Sequence, residues 1–317
     1  MNFKLRHSLT SGITKGWSGF VWILKILVPI SFLTTLLAWS GWINKLDFIL
    51  EPVMDVIGLP PIAALPLIVG LLTGPYGAIA AMNPLPLTMD QMTLLAIFIL
   101  ISHNLIQEGV IQSKSGLPFL TATLFRLSFS VATVLVVSRF MNHPAAAGTP
   151  ADAQVFIQAP FFSMLKAWVS ATLFLSGKIL VIIIALMIIL EIMKNYQLID
   201  HMVGILAPLW KALGLGKQTG FLWLTAAIFG LTYGAAVIVA EVKQGNLSKD
   251  DLKRLHISIG INHSMIEDPA LFMSLGLGFF WMFVPRVVAA MAAVQLFIIF
   301  RMFLLLPGFS RFLPSRK

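Results

Sequence analysis

The chain contains no cysteine and very little charge. Of its 317 residues only 11% are Asp, Glu, Lys or Arg, whereas a soluble domain carries about 25%. The absence of cysteine excludes disulfides, thiolate metal ligands and a cysteine nucleophile. The scarcity of charge, together with 58% hydrophobic residues and a mean hydropathy of +0.91, excludes an ordinary soluble domain.

The chain contains long apolar stretches instead. Several have the roughly 20 residues that a helix needs to cross a bilayer, and none shows the alternation of barrel strands. We therefore predict an all-α integral membrane protein. The stretches run at 20–40, 61–82, 91–106, 119–140, 161–193, 218–240, 255–266 and 279–307.

The net charge of +9 does not indicate a nucleic-acid partner. Basic residues gather near the ends of the apolar stretches, where Lys and Arg set the orientation of membrane helices. No basic face interleaved with aromatic residues is present. The partners that we expect are the lipid bilayer and a small solute or ion, and the sequence leaves a homo-oligomer open.

A short polar sequence occurs twice in this apolar chain, 160 residues apart. Ser-His-Asn-Leu-Ile-Gln-Glu at 102–108 corresponds to Asn-His-Ser-Met-Ile-Glu-Asp at 262–268, and Arg126 corresponds to Arg286. A duplicated membrane chain with ionisable residues at matched positions is typical of transporters built from structural repeats.

The duplication divides the chain into two predicted repeats, 1–141 and 159–317. The linker at 142–158 that separates them is rich in Pro, Ala and Gly. Each repeat also has a segment that is polar on one face and apolar on the other, at 44–55 and 197–213. We predict that these segments are amphipathic helices lying at the membrane interface.

Glycines interrupt the second and sixth apolar stretches. Thr-Gly-Pro-Tyr-Gly at 73–77 breaks one, and Gly-Leu-Thr-Tyr-Gly at 230–234 breaks the other. Such a break either kinks a spanning helix or turns the chain back as a re-entrant hairpin. A hairpin tip can bind ions or polar solutes; alternatively, glycine there only allows close packing. The predicted tip and gating residues are Thr73, Gly74, Tyr76, Gly77, Gly230, Thr232, Tyr233 and Gly234.

The distribution of basic residues favours the hairpin over the kink. The flanks of the first break hold only Lys45, whereas the flanks of the second hold seven Lys or Arg residues. Since basic flanks stay in the cytoplasm, both ends of each broken stretch lie on one side, and the two repeats use opposite sides. We predict two inverted-topology repeats, each with three transmembrane helices, a re-entrant hairpin and an interfacial amphipathic helix. Eight spans in parallel repeats are the alternative.

The same rule predicts the location and orientation of the protein. It puts both termini in the cytoplasm and the linker outside it, which suits a multi-pass protein of a bacterial inner membrane. The basic C-terminal residues Arg311, Arg316 and Lys317 agree with this orientation.

The repeated polar sequence supplies the candidate binding residues. His103 and Gln107 are four residues apart, as are His263 and Glu267, so each pair is expected on one helix face. Ionisable groups at membrane depth are functional candidates, and matched positions of inverted repeats converge near the midplane. The candidate ligands of a solute or ion are His103, Asn104, Gln107, Glu108, Asn262, His263, Glu267 and Asp268. Of these, a metal ion could use His103, Glu108, His263, Glu267 and Asp268.

A structural role is the alternative interpretation of these residues. Glu108, Glu267 and Asp268 could simply form ion pairs with Arg126 and Arg286, which would fix each loop to the following helix. Because both repeats keep the pattern, we favour a direct role in binding.

Signatures of soluble enzymes are missing from the sequence. There is no His-Glu-x-x-His zinc sequence, no phosphate-binding loop and no Gly-x-Ser-x-Gly elbow, so we predict that the protein is not an enzyme. The sequence also has no ATPase domain. Transport would therefore be secondary or driven by a partner.

The broken stretches and polar breaks together resemble the Gate, or nucleoside-recognition, superfamily of membrane proteins. The resemblance rests on the turns at 73–77 and 230–234 and on the breaks at 103–108 and 262–268, and it covers most of 20–307. The superfamily includes concentrative nucleoside transporters, the membrane part of bacterial ferrous iron transporters, and spore maturation membrane proteins. The resemblance implies inverted repeats, re-entrant hairpins and a midplane site beside broken helices.

The function that we predict is secondary transport of a small polar or ionic solute through that midplane site. Imidazole and carboxylate ligands favour a divalent cation over a nucleoside-like organic solute. No cofactor is predicted; a proton or sodium ion could couple the transport. The alternatives are a non-transporting membrane scaffold or accessory subunit and, less favoured, an intramembrane hydrolase.

Overall fold

The computed structural model describes residues 3–42, 51–52, 54–114, 116–141, 160–243 and 247–305. Throughout these ranges the regular structure is helical, which confirms the predicted all-α membrane fold. Short 3₁₀ helices lie at Pro61–Ala63 and Met273–Leu275. The α-helices are α1 (Phe3–Trp39), α2 (Ala64–Thr73), α3 (Pro75–Met82), α4 (Met89–Ser102), α5 (Leu105–Lys114), α6 (Phe119–Ser138), α7 (Phe161–Asn195), α8 (Leu198–Ile205), α9 (Ala207–Ala212), α10 (Lys217–Lys243), α11 (Lys249–Asn262), α12 (Glu267–Phe272) and α13 (Phe279–Leu305).

Five of the described segments are long and apolar enough to cross a membrane, so the chain is a multi-pass membrane protein. The segments are Lys4–Trp39, Met89–Lys114, Phe119–Ser138, Phe161–Asn195 and Phe279–Met302. A sixth predicted span corresponds to α11 and α12 and does not reach this length, because α11 begins with charged residues and ends at a break. Its passage through the membrane stays a prediction.

The two longest helices, α1 and α7, pack against each other in antiparallel directions. A Cβ atom added at Gly12 would lie 2.6 Å from the Cα of Ile188, and one added at Gly16 would lie 2.9 Å from the Cα of Ile184. The two glycines are four residues apart, a spacing that allows membrane helices to approach closely. Backbone contact at these glycines therefore determines how near the helices lie.

Both glycine breaks turn the chain back on itself. Gly74 has φ 88°, and the backbone of α10 leaves helical geometry at Gly230, where φ is 79°. A Cβ atom at Gly70 would lie 3.0 Å from the Cβ of Ala78, although residues eight apart in a straight helix are separated by about 12 Å. Two short antiparallel arms therefore meet at Gly74.

The second break has the same close packing between its arms. A Cβ atom at Gly234 would lie 2.5 Å from the Cβ of Ala226, again eight residues away. The two broken stretches are thus hairpins in their local packing. Their insertion from opposite sides of the membrane stays a prediction, as do the repeat boundaries at 1–141 and 159–317.

Two helices of equal length, α4 and α11, lead from the hairpins to the polar breaks. Each has 14 residues and a hydroxyl cap, since Thr88 accepts a hydrogen bond from the Gln91 amide and Ser248 accepts one from the Asp251 amide. These caps satisfy first-turn amides that lack an intrahelical partner. The shared length and start bring the ends of both helices to matched positions.

Some predicted segments lie partly or wholly outside the described residues. This applies to the linker at 142–158, to most of the amphipathic segment at 44–55 and to the C-terminal residues from 306 onward. The other amphipathic segment, 197–213, forms α8 and α9.

Candidate functional site

The site begins where α4 and α11 end. His103 and His263 follow the last residues of these helices and have extended ψ angles of 161° and 160°. The next residues, Asn104 and Ser264, both have a left-handed φ of 48°. The left-handed residue stops each helix and starts the chain in a new direction.

Each histidine ring is oriented by its own helix. The Nδ1 atom of His103 lies 3.0 Å from the carbonyl oxygen of Ile99, and that of His263 lies 2.9 Å from the carbonyl oxygen of Ile259. Because a carbonyl oxygen only accepts hydrogen bonds, both Nδ1 atoms carry a proton and donate it. In a neutral ring the other nitrogen, Nε2, is then an acceptor with a free lone pair.

The two Nε2 atoms meet each other in the protein interior. They are 3.1 Å apart, although the residues are 160 positions apart in the chain. His103 is 3% exposed and His263 is 1% exposed. Two lone pairs at this distance repel each other unless a cation, either a proton or a metal ion, lies between them.

The carboxylate of Glu108 completes a cluster of acceptor atoms. Its Oε1 lies 2.9 Å from Nε2 of His103, and its Oε2 lies 3.1 Å from Nε2 of His263. Each of the three residues offers one ligand atom, and these atoms all lie within 4.8 Å of one another. Neighbouring ligands of a tetrahedral metal ion with bonds of 2.0–2.1 Å are about 3.3 Å apart. The three side chains therefore have the spacing of a metal-ligand set.

Two buried arginines hold the breaks in place. Arg126 donates from Nε to the carbonyl oxygen of Ile101 and from Nη2 to that of His103, each at 2.8 Å. Arg286 makes the matched bonds to Ile261 at 3.1 Å and to His263 at 2.7 Å. Both guanidinium groups thus neutralise carbonyl groups that are left unpaired at helix C-termini.

Only one of the two arginines also binds a carboxylate. Nη2 of Arg126 lies 2.8 Å from Oε2 of Glu108, which is one of the ion pairs expected under the structural interpretation. Asp268 occupies the position matched to Glu108, and it is buried, with Oδ2 3.5 Å from Nε2 of His103. Among the described residues, no ion pair joins Asp268 to Arg286.

The first hairpin tip contacts both breaks. The hydroxyl of Tyr76 donates a hydrogen bond of 2.8 Å to Oε1 of Glu267, and its ring packs at 87° to that of Trp22. At Gly74, an added Cβ atom would lie 2.7 Å from the side-chain nitrogen of Asn104. The tip therefore covers the cluster from one side.

The remaining predicted residues lie outside this cluster. Gln107 is exposed because the break at Asn104 resets the helical period, so that Glu108 faces inward instead. Thr73 is exposed and bonds to the Val69 carbonyl. Asn262 is buried, and its amide has no hydrogen-bond partner among the described residues.

Four other predicted tip residues lie in α3 and α10. Gly77 is buried in α3, and Gly234 is buried against the other arm of its hairpin. The side chains of Thr232 and Tyr233 lie outside the described part of the chain.

Sequence reasoning missed two residues of the site. Trp22, in α1, contacts Tyr76, and nothing in the sequence links the two. Ser264 is buried next to His263 with a strained φ. Its position 160 residues after Asn104 could have identified it as part of the repeated break.

The first part of the chain is similar to a known family of membrane proteins. Residues 20–144 match the family described as Gate, nucleoside recognition. This part of the chain is similar to the Gate domain. The matched part of the Gate domain includes the first hairpin, the break at His103, Glu108 and Arg126, and the predicted resemblance to this superfamily is confirmed.

A relative extends the similarity beyond the Gate domain. YvoD, an uncharacterised membrane protein of Bacillus subtilis (strain 168), is 26% identical over 293 residues, which are 90% of this chain and 92% of YvoD. No solved structure matches the chain. The Gate domain suggests a protein related to membrane transport.

Proposed function

We propose that this protein is a secondary transporter of a small ionic solute and that a divalent cation is its favoured substrate. One observation carries the proposal. Nε2 of His103, Nε2 of His263 and the carboxylate of Glu108 are all acceptors, and they converge within about 3 Å of one another in the protein interior. Such a set of lone pairs is stabilised by a bound cation.

The charges around the cluster also favour a cation. Three carboxylates, those of Glu108, Glu267 and Asp268, are accompanied by two buried arginines, Arg126 and Arg286. The formal charge of this group is therefore one negative, before any charge on the histidines. Imidazole ligands suit Zn²⁺ and carboxylate ligands suit Mn²⁺, so the mixed set favours a divalent first-row metal ion.

Burial of the cluster fits a substrate that is enclosed during transport. The side chains of His103, Glu108, His263 and Asp268 are each at most 7% exposed. Access therefore requires movement, and the hairpin contacts Tyr76–Glu267 and Gly74–Asn104 are the ones that such movement would break first. We take the described conformation to be an occluded one.

A non-transporting scaffold is the second candidate function. The ion pair between Glu108 and Arg126 is what a purely structural role would require. A scaffold would need a proton, rather than a metal ion, between the two Nε2 atoms. Measurement of flux distinguishes the two candidates.

The test is metal uptake into liposomes that contain the purified protein and an enclosed metal-sensitive dye. We expect uptake of Mn²⁺ or Zn²⁺ by the wild-type protein and at least a tenfold loss in Glu108→Gln and His263→Ala. Glu191→Gln is the matched control, because Glu191 forms its ion pair with Lys15 on a different pair of helices. Uptake of nucleosides but not metal would redirect the proposal to an organic solute, and absence of any flux would favour the scaffold.

A further inference from the structure

The two matched carboxylates, Glu108 and Asp268, make different contacts. Glu108 lies within 3.1 Å of both histidines and pairs with Arg126. Asp268 approaches His103 at 3.5 Å and forms a hydrogen bond with Ser264, but it pairs with neither His263 nor an arginine among the described residues. In the described conformation Glu108 therefore contacts both histidines and an arginine, whereas Asp268 does not.

The backbone of the second half is nevertheless built like the first. Arg286 bonds to the carbonyl oxygens of Ile261 and His263, just as Arg126 bonds to those of Ile101 and His103. Nη1 of Arg286 is buried without a hydrogen-bond partner, as is Nη1 of Arg126. Arg286 therefore still has a donor that a carboxylate could accept from.

Two local differences explain why Asp268 does not reach it. The side chain of Asp is one methylene shorter than that of Glu. In addition, α5 begins at Leu105, whereas α12 begins at Glu267, two residues later in the repeat. The first residue of α12, Glu267, accepts the hydrogen bond from Tyr76, which fixes the start of this helix. The matched residue of the first repeat, Gln107, is exposed.

Without a bound cation, the two carboxylates repel each other when both approach the histidines closely. Both already approach the same atom, Nε2 of His103, at 2.9 and 3.5 Å. Like charges in a buried site destabilise each other. Full engagement of one carboxylate therefore favours withdrawal of the other.

We propose that Asp268 and Arg286 form a second half-site for the transported cation and that Glu108 and Asp268 bind it in turn. This inference rests on the proposed transport function. In the described conformation Glu108 and the two histidines hold the cation. When the Tyr76–Glu267 contact opens, Asp268 moves to the histidines and to Arg286, and Glu108 withdraws. In repeats of opposite orientation the two half-sites would face opposite sides of the membrane.

The experiment compares cation binding with cation transport in the same variants. Binding of Mn²⁺ is measured by calorimetry in detergent, and transport by uptake into liposomes. We expect Glu108→Gln to weaken binding and transport together by about tenfold or more, the effect of losing a metal ligand or its support. We expect Asp268→Asn to reduce transport by about tenfold or more while the dissociation constant changes by less than about threefold.

A labelling measurement supplies a readout that a structural role would not affect. The natural chain has no cysteine, so Thr73→Cys introduces a single thiol at the exposed hairpin tip. In that background, Mn²⁺ should change the rate of labelling by a membrane-impermeant maleimide. The change should disappear with Asp268→Asn, whose nearly unchanged Mn²⁺ dissociation constant controls for misfolding.

Each result has a distinct meaning. If the wild-type protein neither binds nor transports Mn²⁺ or Zn²⁺, the proposed function is wrong. If the wild-type protein transports and Asp268→Asn transports equally well, the alternation is wrong while the proposed function stands. If Asp268→Asn loses binding as strongly as transport, Asp268 is a simultaneous ligand rather than an alternate one.

Discussion

The imidazoles of His103 and His263 face each other through their Nε2 atoms at 3.1 Å, because each Nδ1 atom is bound to a carbonyl of its own helix. The helix thereby fixes both the orientation of the ring and the nitrogen that is free to act as a ligand. A hydrogen bond from the second nitrogen of a histidine is the usual way in which proteins prepare that residue for a metal ion. In this protein the backbone supplies that support twice.

Replacing either histidine should abolish stabilisation by a metal ion. A ligand at about 100 times its dissociation constant stabilises the folded protein by about 2.7 kcal/mol. We therefore expect Mn²⁺ or Zn²⁺ to raise the thermal unfolding temperature of the wild-type protein. We expect no rise in His103→Gln or His263→Gln.

His201→Gln is the matched control for these two variants. His201 lies on α8 and is exposed, so its replacement should leave the metal-dependent shift intact. A wild-type shift that persisted in both site variants would mean that the metal binds elsewhere.

Removal of the Arg126 side chain should destabilise the protein strongly, and removal of its partner should reverse part of the loss. Arg126→Met leaves Glu108 buried without its ion-pair partner and leaves two carbonyl groups unsatisfied. Breaking one side of a buried pair typically costs about 3–5 kcal/mol. We expect the double variant Arg126→Met with Glu108→Gln to unfold at a higher temperature than Arg126→Met alone.

The measurement is thermal unfolding of all four proteins in the same detergent, treated as a double-mutant cycle. Additive effects of the two substitutions would show that the ion pair makes no net contribution. The buried arginine would then act only through the carbonyl groups.

The sequence predicted the polar breaks well but not which side chains face inward. The repeat at a spacing of 160 pointed to His103 and His263 as partners, and Gly74 marked the turn of the first hairpin. The prediction that His103 and Gln107 share a helix face, however, requires a continuous helix through the break. The left-handed Asn104 interrupts the period, so Glu108 takes the inward position that Gln107 was expected to share.

The asymmetry between the repeats also lay beyond the sequence. Tyr76 and Glu267 are 191 residues apart and form a single hydrogen bond. Such a contact depends on how the first hairpin sits against the second break, which no local pattern specifies. For the failure of Asp268 to pair with Arg286, the sequence shows only the shorter side chain and not the later start of α12.

Loss of the Tyr76 hydroxyl should loosen the first hairpin. Tyr76→Phe keeps the ring contact with Trp22 and removes only the hydrogen bond to Glu267. A hydrogen bond to a charged group contributes about 1.5–3 kcal/mol. If the hairpin opens during transport, the variant should be less stable and should label faster at Thr73→Cys.

Tyr196→Phe serves as the control because Tyr196 is partly exposed at the end of α7. Its labelling rate and unfolding temperature should match those of the wild-type background. Equal labelling of the Tyr76 and Tyr196 variants would exclude the Tyr76–Glu267 contact as a gate.

Two glycine-to-alanine substitutions in the long helices should have opposite effects on stability. An added methyl at Gly12 meets the Ile188 backbone at 2.6 Å, whereas one at Gly177 meets nothing within 4 Å. Gly12→Ala must therefore push α1 and α7 apart, at a cost of about 1–3 kcal/mol. Gly177→Ala only stiffens the unfolded chain and favours the helix, which should stabilise the protein by about 0.4–1 kcal/mol. Thermal unfolding in detergent measures both changes, and a Gly12→Ala protein as stable as wild type would show that the α1–α7 contact does not depend on backbone proximity at that glycine.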